Sequence, residues 1–183
     1  MGLDMYLYRK TYVKNWEHMP IERRTSITIT RGGQPVKGID SNKISYVIEE
    51  VGYWRKANQI HNWFVKHVQN GKDDCKEYPV SPENLKELLS ICERIKAECL
   101  LVRGTVENGA TLVEDAWVPN LEPGEIMTNV ELAKKLLPTT SGFFFGSTSY
   151  DQWYMRDILD TIEILTPLVT EEYEGDIYYE ASW

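Results

Sequence analysis

Two kinds of spacing divide the chain. Ser26-Ile27-Thr28-Ile29-Thr30-Arg31 alternates apolar and polar positions up to Gly32-Gly33, the pattern of a half-exposed strand that turns as a hairpin and returns through Pro35-Val36. Residues 3–9 (Leu-Asp-Met-Tyr-Leu-Tyr-Arg) are rich in side chains that suit a pleated surface and read as another strand. Helical spacing begins with Ile44, Val47, Ile48 and Val51, and Asp40 or Ser41 is placed to cap that helix. Gly52 interrupts it, and a second helix is predicted from about Trp54 to Gln69, stopped by Asn70-Gly71.

Ser81-Pro82-Glu83 is a helix start, with a capping hydroxyl, a proline in the first turn and then an acid. Leu85, Leu88, Leu89, Cys92, Ile95 and Cys99 form its apolar stripe. Thr105 to Leu112 reads as a hairpin turning at Asn108-Gly109, and residues 114–128, with Pro119, Pro123 and Gly124, as loop. A short helix starts at Thr128 or Asn129 and ends at Pro138. A loop over 139–149 surrounds Phe143-Phe144-Phe145, a long helix runs from about Tyr150 to Leu165, and residues 176–183 close as a strand. Helices and strands interleave without a regular βαβ rhythm. The expectation is a single α+β domain over residues 1–183, with a mixed or antiparallel sheet and four to five helices.

At 183 residues and 42% hydrophobic content the chain can bury a core without disulfides or metal. No apolar run reaches membrane-spanning length, and the opening residues lack the basic and apolar regions of a secretory signal. Cys75, Cys92 and Cys99 form no CxxC pair; Cys92 and Cys99 share a helical face and read as buried thiols. The expected setting is cytoplasmic, with no cofactor and no metal.

Charge changes the picture through its distribution. Residues 150–183 hold nine carboxylates against one base, Arg156, which matches the whole-chain net charge of −8. Residues 1–40 carry seven bases and four acids. A single-sign region repels nucleic acid and attracts basic surfaces, so direct nucleic-acid binding is disfavoured, although the early bases leave room for a local patch.

Three segments are candidates for function. Helical spacing puts Trp54, Asn58 and His61 on one face next to Arg55, a wall that could take a planar ligand or move a proton; the bland alternative is a core helix with satisfied polar groups. The 139–149 loop, with Ser141, Ser147 and Thr148 before a helix start, has the ingredients of an anion site or the other wall of a pocket. It lacks the lysine and spacing of a nucleotide-phosphate loop and reads equally as a buried aromatic strand plus a helix cap. Asp157, Asp160 and Glu163 recur every three residues on a helix, and Glu171, Glu172 and Glu174 extend the charge. These acids, with Trp153 and Tyr154 as aromatic contacts, suit docking on a basic protein surface; the alternatives are a solvated face or, less suited to a linear stripe, a hard metal ion.

Four blocks, MGLDMYLYRKTYV (1–13), VGYWRKANQIHNWFV (51–65), LLPTTSGFFFGSTSYDQWY (136–154) and DIYYEASW (176–183), resemble a family of small uncharacterised phage and prophage proteins. That family brings no assigned catalytic residues. In length and phage-like character the chain also resembles type II-A anti-CRISPR inhibitors of Cas9. This resemblance implies a protein that works by binding a nuclease or its guide-RNA complex, whose basic channel suits an acidic, aromatic-rich partner.

Overall fold

β1 (Asp4–Tyr12) alternates strictly where the core begins, with Met5 and Leu7 buried and Asp4, Tyr6 and Tyr8 on the opposite side. The computed structural model describes residues 2–142 and 145–183; Met1 and, in the expected aromatic loop, Phe143 and Phe144 lie outside the described residues. After β1 come a short hairpin, β2 (Thr30–Arg31) and β3 (Gln34–Pro35), then β4 (Tyr46–Arg55) and α1 (Asn58–His67). β5 (Tyr78–Val80), α2 (Pro82–Glu98), β6 (Leu101–Val113) and β7 (Ala116–Met127) follow. α3 (Val130–Leu136), α4 (Gln152–Thr170) and β8 (Asp176–Ser182) complete the chain. The class is α+β, with four α-helices and antiparallel strands among the described residues.

The main sheet has the order β4-β1-β8-β5. β1 pairs antiparallel with β4 on one side and β8 on the other, so the two ends of the sequence lie side by side. Met5, Leu7, Trp54, Ile177, Tyr179 and Ala181 point from the sheet into a core shared with α1, α2 and α4. α2 packs along α4. It begins as its sequence predicts, with Ser81 Oγ accepting from Asn84 N at 3.1 Å and Pro82 in the first turn. Cys92 and Cys99 on its stripe are buried free thiols.

Two expectations are corrected. The helix predicted through Ile44, Val47, Ile48 and Val51 is the edge strand β4, and Trp54 belongs to that strand rather than to a helix. Asp40 caps only a single tight turn, Ser41–Lys43, by accepting from Asn42 N. The aromatic and β-branched run Tyr46-Val47-Ile48 suits a pleated surface, and pairing with β1 outweighs the local helical period. Gly52 acts as a clearance: a Cβ there would stand 2.6 Å from Ile164 Cγ2, where α4 crosses β4. The chain enters α1 through Lys56, at φ +61°.

The second correction is a long two-stranded ribbon. Residues 114–128, expected as loop, are mostly β7, which pairs with β6 from Leu101↔Met127 to Val113↔Ala116. The turn is Glu114-Asp115, both at positive φ, and Asn108-Gly109 forms a bulge instead. The longer register buries Val106 at the root beside Gly124 and leaves the outer half free of the body. The late elements α3 and β8 fall close to their predicted positions, while α4 starts as expected and runs five residues past Leu165, through Pro167 to Thr170.

Candidate functional site

The helix and loop expected to enclose a ligand do meet, and they meet in direct contact. Asn58, 1% exposed, donates Nδ2 to the carbonyls of Phe145 (3.1 Å) and Ser147 (2.7 Å). Its Oδ1 accepts from Thr140 N at 2.9 Å, so one amide fastens the loop to the first turn of α1. Trp54 is buried on β4 and donates Nε1 to Thr161 Oγ1 at 2.9 Å. Arg55 points to solvent beside Asp4. Ser141, Ser147 and Thr148 are exposed. The anion position at the start of α4 is filled from within: Asp151 Oδ1 accepts from Trp153 N (2.8 Å) and Tyr154 N (3.3 Å). The expected pocket wall is therefore packed core.

His61 is the clearest case. Its Nδ1 lies 2.7 Å from Tyr179 Oη and its Nε2 lies 3.0 Å from Asp73 Oδ2. Letting Tyr179 donate to Nδ1 and Nε2–H donate to the carboxylate satisfies all three groups. The ring is 1% exposed, with Phe145 edge-on at 5.2 Å. Tyr179 stacks on Phe64 at 3.9 Å, and burial pushes its phenol well above the ordinary tyrosine range. Asp73 also accepts from Trp183 Nε1 at 3.0 Å. The chain of bonds thus ties α1 to β8 and the final residue.

The acidic stretch does not form one face. A step of three residues advances about 300° around a helix, so each successive acid rotates by about 60°. Asp157 turns inward, where Gln59 Nε2 donates to its Oδ2 at 2.8 Å. Burial raises its carboxyl to about 7, against the lowering effect of the Gln59 bond, with Asp160 and Asp151 adding to the rise. Asp160 is paired with Arg156 at 2.8 Å. Glu163 faces solvent, as do Glu171, Glu172 and Glu174 beyond the helix end. Trp153 is 51% exposed. Tyr154, expected as a contact residue, is only 3% exposed and donates Oη to the Leu137 carbonyl at 2.8 Å, because it lies on the core side of α4.

Two open grooves lie beside α4, one at its C-terminal end and one along its middle. One, of about 500 Å³, is lined by the buried Val80, Leu168 and Ile177 together with Glu171, Glu172, Asp176 and Lys86. The other, of about 470 Å³, sets Val51 and Ile164 beside Asp160, Glu163 and Arg156. Among the described residues no group of three or more His, Cys, Asp or Glu converges on a potential metal position.

Sequence reasoning missed two surfaces. The side of the sheet away from the helices carries Tyr6, Tyr8, Tyr53 and Tyr178, with Glu50 and Glu180 between them. The register that brings four separate tyrosines together is set by long-range pairing, although the alternation of Tyr6 and Tyr8 with Met5 and Leu7 was a usable signal. The outer ribbon exposes Leu112, Trp117 and Leu121. These features define a class, an α+β protein with packed polar clusters inside and charged, aromatic surfaces outside. No family model, curated protein or solved structure matches the chain. No helix among the described residues is long and apolar enough to cross a membrane.

Proposed function

We propose that the protein acts by binding, docking its acidic end against a basic protein surface. In the phage setting that the sequence resembles, the most concrete partner is a host defence nuclease, Cas9 with its guide RNA, and the site of action is the host cytoplasm. One observation carries the reading: carboxylates and apolar side chains together line two grooves beside α4, at its end and along its middle. A lysine or arginine entering such a groove lays its aliphatic stem on the apolar side chains and brings its charged head to the carboxylates.

The docking set is Asp160, Glu163, Glu171, Glu172 and Glu174, with Trp153 at the other end of the helix. Asp157 and Tyr154 leave it, since their side chains serve the interior. The packed surroundings of His61 and Asn58 favour docking over a ligand pocket at α1.

The test is a gel shift and a cleavage titration with Cas9 and guide RNA at near-physiological salt. Wild-type protein forms a complex and suppresses cleavage, and the E163Q/E171Q/E172Q/E174Q variant loses at least tenfold in potency while keeping its fold. No complex and undiminished cleavage discard the nuclease version. Full potency in the neutralised variant discards the acidic end. A salt-dependent shift of bare DNA would instead indicate a nucleic-acid patch among the early bases.

A further inference from the structure

We propose that the open face of the main sheet seats an arginine or lysine side chain of an extended basic segment, held over the Tyr6–Tyr8 pair between Glu50 and Glu180. The helices cover only one side of this sheet, and its other side is carpeted by tyrosine. The Tyr6 and Tyr8 rings lie nearly parallel, 7° apart in plane with centroids 5.7 Å apart, and Tyr53 flanks Tyr6 at 5.3 Å. Tyr8 is opposite Glu50 on β4 and Tyr178 on β8; Tyr6 is opposite Tyr53 and Glu180. The two acids therefore stand on either side of the ring pair.

Of the other charges on this face, Asp176 stands opposite Lys10 at the end of β8 without an ion pair among the described residues, and the rest are matched. Arg55 lies beside Asp4, and Lys10 pairs with Glu77. Glu50 and Glu180 have no such ion pair among the described residues. They add to the effect of burial in raising the Tyr8 phenol, the mark of a negative potential at this ring. The face also shows in its own structure what it accepts: the Lys10 ammonium sits 4.6 Å from the centroid of the Tyr178 ring. Aromatic faces attract cations, and nearby carboxylates add to that attraction.

Charge selects among occupants. Nucleic acid brings phosphates against Glu50 and Glu180, and a second copy seated face to face opposes like charges. A basic polypeptide meets neither penalty. Tyrosine adds large contact area at low entropic cost, as it does at other protein interfaces. This seat concerns a different surface from the end of α4, and it shares with that reading only the basic character of the partner.

A capped tetra-arginine peptide, with uncharged tetra-citrulline as its control, tests the seat on the full chain by calorimetry and tyrosine ring NMR signals. Arginine peptide is expected to bind saturably, shifting Tyr6 and Tyr8 signals, while citrulline peptide does not. Y6L/Y8L and E50Q/E180Q should each weaken binding about three- to fivefold, the scale of exposed cation–aromatic and charge contacts, and Y8F should change it less than about twofold. If Y6L/Y8L fails to fold, E50Q/E180Q carries the same expectation. No saturable binding, equal binding of both peptides, or unchanged binding in E50Q/E180Q overturns the proposal. Loss of binding in E171Q/E172Q/E174Q alone places the peptide at the end of α4 and likewise overturns it, while upholding that other surface. Sedimentation showing dimers that the Y8L change dissolves would assign the face to a second copy and also sink the proposal.

Discussion

His61 Nδ1 and Tyr179 Oη stand 2.7 Å apart, joining two residues separated by 118 positions in the sequence. Both rings are buried, so each group depends on the other for its hydrogen bond. Burial without a partner costs about 1–3 kcal/mol for a polar group.

Tyr179→Phe should therefore destabilise the protein by about 1–3 kcal/mol by leaving Nδ1 unpaired. Urea unfolding measures the loss. His61→Leu combined with Tyr179→Phe should cost less than the sum of the two single changes, since neither polar group then remains without its mate. Strict additivity would show that the bond contributes little.

Asp157 gives a pH dependence of definite sign. Its folded carboxyl sits at about 7, above the roughly 3.9 of an unfolded aspartate, so the folded state holds its proton more tightly. The associated stability is fully present below about pH 4 and is lost as pH rises through about 7, by up to about 1.4 kcal/mol per pH unit within that window. Asp157→Asn keeps an acceptor for Gln59 and cannot ionise. It should raise the melting temperature at pH 8 and flatten the profile between pH 4 and 7; a variant less stable than wild type at pH 8 contradicts this account.

Gly52→Ala should destabilise by about 1–3 kcal/mol, because the new methyl would collide with Ile164 at a rigid helix–sheet crossing. Pairing Gly52→Ala with Ile164→Val should restore less than the full loss, since the clashing Cγ2 is retained in valine. Thermal melts of the single and double variants decide it.

Trp153 and Tyr154 are neighbours with opposite roles. Trp153→Ala should leave unfolding free energy within about 0.5 kcal/mol of wild type while weakening partner binding, as expected of an exposed contact residue. Tyr154→Phe should cost about 1 kcal/mol or more by orphaning its place beside the Leu137 carbonyl, with binding unaffected in the folded fraction. A Tyr154→Phe protein of wild-type stability would remove the basis for excluding that residue from the docking surface.

Much of the secondary structure was legible because its causes are local. Ser81-Pro82 sets the start of α2 through a hydroxyl three residues from the amide it caps, and the stripe from Leu85 to Cys99 names the buried side without reference to any other element. The β1 and β8 segments announce themselves by composition. The misread segments share a different trait. Ile44 to Val51 satisfies a helical period, yet from Tyr46 onward it becomes β4 because β1 supplies a backbone edge about forty residues away. Asn108-Gly109 is a strong turn signal, yet yields to a turn at Glu114-Asp115 because the longer β6–β7 register forms more pairs.

The candidate surfaces follow the same division. The sequence by itself determined the acidic content of the last fifth, the α+β class, the cap of α2 and the buried thiols, since charge, composition and nearest-neighbour bonds travel with the chain. Tertiary structure alone decided that Asp157 faces inward, that His61 and Asn58 are bonded into the core, and that four tyrosines share an open face. The physical reason is that burial and cross-strand register depend on partners far away in sequence, so no local pattern can specify which side of an element meets water.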